Sequence, residues 1–154
     1  MEIEERSADD VELEALLAAA FAELVGRYGA EGRSQVKGGA RYFVVLDDAR
    51  RAVGCGAVQV FGPGTEYPGD GEVKRMYVVP AARGRGYARA LLAGLEDAAR
   101  AAGHPRLRLT TGHLQPEAIA LYESSGYTRT EAWGKYINQP GTHCYAKRMQ
   151  LPDR

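Results

Sequence analysis

Cysteine is scarce in this 154-residue chain. Only Cys55 and Cys144 occur, with no CxxC spacing and no histidine pair at metal-ligand spacing. That argues against a zinc site, and both fall in strand-like runs where a buried thiol is the simpler reading. Excess charge is missing too: 20 Lys plus Arg balance 20 Asp plus Glu, for a formal net charge of +0. Nucleic acid and membrane surfaces are therefore poor main partners. Lysine itself is confined to Lys37, Lys74, Lys135 and Lys147, so the basic charge is mostly arginine. No apolar run approaches the length of a membrane span. The start, MEIEERSADD, is acidic and has no apolar h-region, so a signal peptide is not expected and the cytoplasm is the default compartment. No glycine-rich stretch ends in Gly-Lys-Ser/Thr, which excludes a P-loop. Repeats, linkers and low-complexity segments are absent as well. The length suits one domain, 1–154, with an adequate core.

What is present concentrates in residues 72–92, EVKRMYVVPAARGRGYARALL. A strand-like run ends at Pro80, an Arg/Gly loop follows, and a helix rich in Ala, Leu and Arg begins. Such a turn holds pyrophosphate: its N–H groups point outward, and the helix dipole adds partial positive charge. Gly84 and Gly86 allow close backbone approach, while Arg83, Arg85 and Arg89 can add charge-assisted contacts. A dinucleotide fingerprint fits poorly, because Arg89 takes the third glycine position. The competing reading of this loop is an ordinary solvated basic turn.

Arg83-x-x-Gly86-x-Ala88 after Val78-Val79-Pro80 resembles the acetyl-coenzyme A loop of the GNAT superfamily, the Gcn5-related N-acetyltransferases. A second segment, residues 115–127 (QPEAIALYESSGY), resembles the family pattern Asn/Gln-x-x-Ala-x-x-Leu-Tyr-x-x-x-Gly-Phe/Tyr at every position. Pro116 and Glu117 suit a helix start and Gly126 a helix stop. The run from Leu107 to Tyr127 is similar to that of small stand-alone bacterial acetyltransferases with a Leu-Glu-Thr-Gly segment. Thr110 stands where that segment has Glu.

The element pattern agrees with this resemblance. A strand at 3–6 is expected, then a helix at 10–25 capped by Ser7 or Asp9. Its apolar face is Val11, Leu13, Leu16, Leu17, Ala20, Phe21 and Leu24. Strands are expected at 42–46, 52–61, 72–79, 106–111, 127–131 and 143–150, and helices at 84–102 and from Gln115. Glycine-rich loops fall at 26–40, with one short helix, and at 62–71, and an aromatic loop at 133–141. The resemblance implies the GNAT fold: α/β (α+β), a mixed, mostly antiparallel twisted sheet of 6–7 strands with helices on both faces.

The resemblance also implies an acetyl-CoA-dependent N-acetyltransferase that moves acetyl to the primary amine of a small molecule by direct attack. Acetyl-CoA is the expected co-substrate, without a metal. The cofactor set is Tyr77, Val78 and Val79 along the pantetheine arm, Arg83, Gly84, Arg85, Gly86, Tyr87, Ala88 and Arg89 at the pyrophosphate, and Gln115. Tyr122 is the expected general acid and Glu72 the expected base, with a backbone N–H, that of Val78, for the oxyanion. Each has a plainer alternative: a core aromatic for Tyr122, a solvated strand-end carboxylate for Glu72. Strand alternation would put Glu72, Lys74, Met76 and Val78 on one face. His113 is the alternative base, and Arg75 pairs with Glu72 or grips a substrate carboxylate. Tyr28, Tyr67, Trp133 and Tyr136 are candidate acceptor walls. Rival readings are a protein or peptide N-acetyltransferase and a non-catalytic acyl-CoA-binding module. Oligomeric state is not legible, a homodimer being one option.

Overall fold

The computed structural model of the chain describes residues 1–29 and 39–150. Seven strands form one sheet in the order β1-β2-β3-β4-β5-β7-β6. They are β1 Glu2–Arg6, β2 Arg41–Leu46, β3 Ala52–Val60, β4 Gly71–Val78, β5 Arg106–Gly112, β6 Thr128–Arg129 and β7 Thr142–Arg148. Three α-helices accompany them: α1 Val11–Tyr28, α2 Tyr87–Ala101 and α3 Pro116–Ser124. β1, β2 and β3 run antiparallel, β4 and β5 are parallel, and β7 is antiparallel to β5 and β6. This is the mixed, mostly antiparallel sheet that the element order implied. By contact the chain forms two compact units, Met1–Gln59 with Lys74–Leu95, and Val60–Val73 with Glu96–Arg154.

In the first unit Asp10, rather than Ser7 or Asp9, caps α1. Its extended backbone lets its carboxylate accept the N–H of Leu13 at 3.0 Å, one of the donors a helix start leaves unpaired. Leu13 and Leu16 then pack with Val44, Leu46 and Cys55 on one face of the sheet. The other face takes the first turns of α2, and here the strand gives up its side chains. A Cβ on Gly56 would lie 2.9 Å from Leu95 Cδ1 and 3.0 Å from Met76 Sδ. Helices thus cover both faces. The 26–40 loop and its expected short helix fall mostly outside the described residues, as does the Tyr28 side chain.

β4 does not alternate regularly. Arg75 sits at φ 61, a left-handed conformation unusual for a residue with a Cβ. Cys55 Sγ donates to its carbonyl at 3.4 Å. A left-handed residue inside a strand interrupts the pleat as a bulge does. The expected single face for Glu72, Lys74, Met76 and Val78 is therefore broken at Arg75.

In the second unit β5 and β7 pair from Arg106↔Arg148 to Gly112↔Thr142. One face carries Tyr145 and Lys147. The Tyr145 hydroxyl donates to Glu123 of α3 at 2.8 Å, and Lys147 Nζ donates to Glu96 at 3.1 Å. The opposite face carries Cys144 under Trp133 and Tyr136, with Phe61 and Tyr67 against them. The expected 127–131 strand shortens to Thr128–Arg129, and the aromatic loop contains a 3-10 turn at Gly134–Asn138.

Candidate active site

Pro80 starts a single 3-10 turn, Pro80–Ala82, directly after β4, and the chain then enters the Arg/Gly loop. Gly84 and Gly86 both take positive φ, 79 and 88. Open space surrounds Gly84, and a Cβ on Gly86 would meet only Met1 Cε, at 3.7 Å. The first bond into α2 is from Ala90 N–H to the Gly86 carbonyl at 3.0 Å. The N–H groups of Gly84, Arg85, Gly86, Tyr87 and Ala88 reach no backbone acceptor among the described residues. Five successive donors at a helix N-terminus, on an exposed loop, make a concave anion site. Coenzyme A fits here on this observation: its pyrophosphate offers the acceptors those donors lack.

Arg83 plays a different part from its neighbours Arg85 and Arg89, which are exposed. Its Nε donates to the Val78 carbonyl at 2.8 Å, and its Nη2 donates to both oxygens of Glu23 on α1, at 2.9 and 3.1 Å. The guanidinium also lies 5.5 Å from the Tyr77 ring centre. The side chain fastens the loop to the strand and to α1. Val79 N–H donates to Val53 of β3 at 2.9 Å. Successive strand N–H groups point to opposite edges, so that of Val78 points away from β3.

Glu72 and Tyr122 both belong to the second unit. Tyr122 is buried on α3, its ring 6.0 Å from that of Tyr127. Burial pushes its phenol above the usual range, so it stays protonated. Tyr127 donates to Glu96 at 2.9 Å. Glu72 is only 8% exposed, so it is no solvated strand-end carboxylate. Its ladder partner on β5 is Arg108. Paired residues share a face, and Arg108 alternates with Leu107 and Leu109, which pair with Lys147 and Tyr145. Glu72 thus stands on the aromatic face, and Tyr122, on α3, belongs to the opposite one. Gln115 precedes α3 and is half-buried. Its N–H donates to Gly112 at 3.1 Å, and its side chain makes no cap.

His113 is exposed, and its Nδ1 lies 3.2 Å from the Gly141 carbonyl. Of the candidate acceptor walls, Tyr67, Trp133 and Tyr136 come together in edge-to-face contacts. Glu23, Asp70 and Arg108 carry no local sequence signal, because their contacts are with partners far along the chain. No cluster of three His, Cys, Asp or Glu suited to a metal occurs among the described residues. Nor is any described helix long and apolar enough to cross a membrane.

Known proteins share this arrangement. The profile of the acetyltransferase (GNAT) family matches residues 9–127. An "IAA acetyltransferase" of Azospirillum brasilense is 44% identical over 98 residues, 64% of this chain and 61% of that protein. The chain thus spans less than two thirds of that relative's length. A crystal structure of a candidate acyl-CoA N-acyltransferase from Klebsiella pneumoniae superposes with a TM-score of 0.81 at 32% identity, covering 97% of both chains. N-acetylglutamate synthase from Neisseria gonorrhoeae, solved with coenzyme A and N-acetyl-glutamate, shares the fold alone. Its TM-score is 0.65 at 19% identity, over 97% of this chain and 36% of that one. With the loop, the α3 segment and the sheet order all in agreement, the chain belongs to the acetyltransferase (GNAT) family.

Proposed function

We propose that the protein transfers the acetyl group of acetyl-CoA to the primary amine of a small molecule by direct attack on the thioester. The observation that carries this is the run of five N–H groups, Gly84 to Ala88, without a backbone acceptor. The coenzyme's pyrophosphate accepts from them, with Arg85, Arg89 and the α2 N-terminus adding positive potential. Tyr77, Val78 and Val79 carry the pantetheine arm, and Gln115 belongs to the same binding set.

In the reaction the amine nitrogen bonds to the carbonyl carbon and the carbon–sulfur bond breaks. Glu72 takes the proton that the ammonium must shed, directly or through water. The Val78 N–H stabilises the oxyanion. Tyr122, held protonated by burial, donates to the departing thiolate. Base and acid on opposite faces suit an amine that arrives on one side while sulfur leaves on the other. The small-molecule reading of the acceptor is supported by the buried aromatic group at Trp133 and Tyr136 and by the "IAA acetyltransferase" relative.

Calorimetry with coenzyme A tests the placement. Gly86→Glu puts a side chain in the strained left-handed region and a negative charge at the phosphate. Affinity should fall at least about tenfold, roughly 1.4 kcal/mol. Unchanged affinity would remove the coenzyme from this loop. Thiol release with an amine panel then tests transfer itself. Cys55 and Cys144 are buried and add little background to a thiol reagent.

A further inference from the structure

Arg108 is an arginine in a buried place. It is 6% exposed, on the aromatic face of the second unit. Its Nε donates to Asp70 at 2.8 Å, an ion pair buried on both sides. Its guanidinium lies 3.4 Å from the centre of the Tyr67 ring and 5.5 Å from that of Trp133. Phe61 and Tyr136 complete the aromatic group through edge-to-face contacts with Trp133.

Asp70 occupies one corner of the guanidinium fork. Among the described residues no side chain takes Nη1 or Nη2, which carry the fork's remaining donors. The two nitrogens form a planar pair matched to a carboxylate. The Tyr67 ring lies directly against the guanidinium, which restricts the fork before any ligand arrives.

Glu72 is the direct ladder neighbour of Arg108 and leaves the same face of the sheet, one strand spacing away, about 4.8 Å. A guanidinium and a carboxylate side by side match a molecule with a carboxylate and an ammonium on one carbon. We propose that the acceptor is a free α-amino acid, its carboxylate held by Arg108 Nη1 and Nη2 and its amine presented to Glu72. The walls formed by Tyr67 and Trp133 take its side chain, which favours an apolar or aromatic one. This rests on the reading of Glu72 as the base. It goes beyond that reading by assigning Arg108 to specificity.

The test compares matched acceptors on the parent protein: each standard amino acid, its α-amide and its decarboxylated amine. Amino acids should be preferred in kcat/KM by about 100-fold or more, since a site built for a polar group rejects analogues that lack it. In Arg108→Met that preference should collapse through acceptor KM, with coenzyme A affinity by calorimetry unchanged. Arg108→Lys should keep part of the preference, retaining the charge but losing the fork. Equal turnover of amino acids and their decarboxylated amines by the parent would overturn the assignment and leave acetyl transfer standing. No amine-dependent thiol release across the whole panel would overturn both. If Arg108→Met fails to fold, the parent's panel decides alone.

Discussion

Under the proposed mechanism, Tyr122 must hold a proton and give it up at the right moment. Burial raises its phenol, which keeps it protonated but makes full transfer to a free thiolate uphill. In that mechanism its contribution would be a hydrogen bond that strengthens as charge collects on sulfur. Tyr122→Phe keeps the ring against Tyr127 and removes the donor. Turnover should drop about 10²–10⁴-fold with little change in coenzyme affinity. An unaltered kcat, with chemistry shown to be rate-limiting, would make Tyr122 a packing residue. Glu23 acts at one remove, as a positioning residue. It grips Arg83, which in turn holds the Val78 carbonyl. Glu23→Gln loosens that chain of contacts. Both partners are partly exposed, so the effect should be about 1 kcal/mol or less. KM for acetyl-CoA should rise a few-fold while kcat holds. A fall in kcat with KM fixed would show that the contact serves chemistry rather than loop position.

At the scale of elements, β3 is made thin so that α2 and β4 can approach it. A Cβ on Gly54 would lie 2.9 Å from the Tyr77 carbonyl oxygen and 2.9 Å from Val45 Cγ1. Backbone cannot step aside as a side-chain end can. Gly54→Ala should cost about 1–3 kcal/mol in urea unfolding, the range for overpacking. Gly64→Ala, which meets nothing within 4 Å, is the control and should stay near the parent. If Gly54→Ala matched the control, β3 would not be held this close to β2 and β4. The same elements show what the sequence could disclose. The Arg/Gly loop and the α3 segment are local patterns, so their residue types were readable in order. The expected helix starts lie within a few residues of the observed ones, and Asp10 rather than Ser7 or Asp9 caps α1, three side chains that the sequence alone does not separate because they are chemically alike. Arg75 could not be foreseen, since nothing local marks an arginine for a left-handed turn. Arg108 was invisible for another reason. Its contacts Asp70 and Tyr67 lie in the loop before β4, and the ladder between β4 and β5 sets Glu72 beside it.

For the whole molecule, titration sets the range in which the fold is firm. Several carboxylates of the first unit are held below their ordinary values. The bond from Arg41 does this for Glu5, the N–H of Leu13 for Asp10, the N–H of Ala52 for Glu12 and the N–H of Arg51 for Asp47. A depressed carboxylate contributes stability that is complete above its unfolded value, about 4, and is lost as pH falls through the folded value. The other limb has the opposite sign. Burial pushes the Cys55 thiol up from 9.0 to about 12 and raises Cys144, Tyr122, Tyr127 and Tyr145 as well. A raised group contributes stability that is complete below its unfolded value and lost as pH rises toward the folded one. Tm should therefore be flat from about pH 5 to about pH 8 and fall on both sides. Two variants separate the limbs. Asp10→Asn keeps a capping oxygen for Leu13 but cannot titrate, so it should flatten part of the acid limb. Cys55→Ala removes one of the two raised thiols, so its alkaline decline should be shallower than the parent's, with Cys144 and the tyrosines carrying the rest. A parent Tm that stayed level from pH 8 to pH 11 would mean that water reaches the Cys55 thiolate. The packing of α1 over β2 and β3 would then be looser than its contacts with Leu13 and Val44 require.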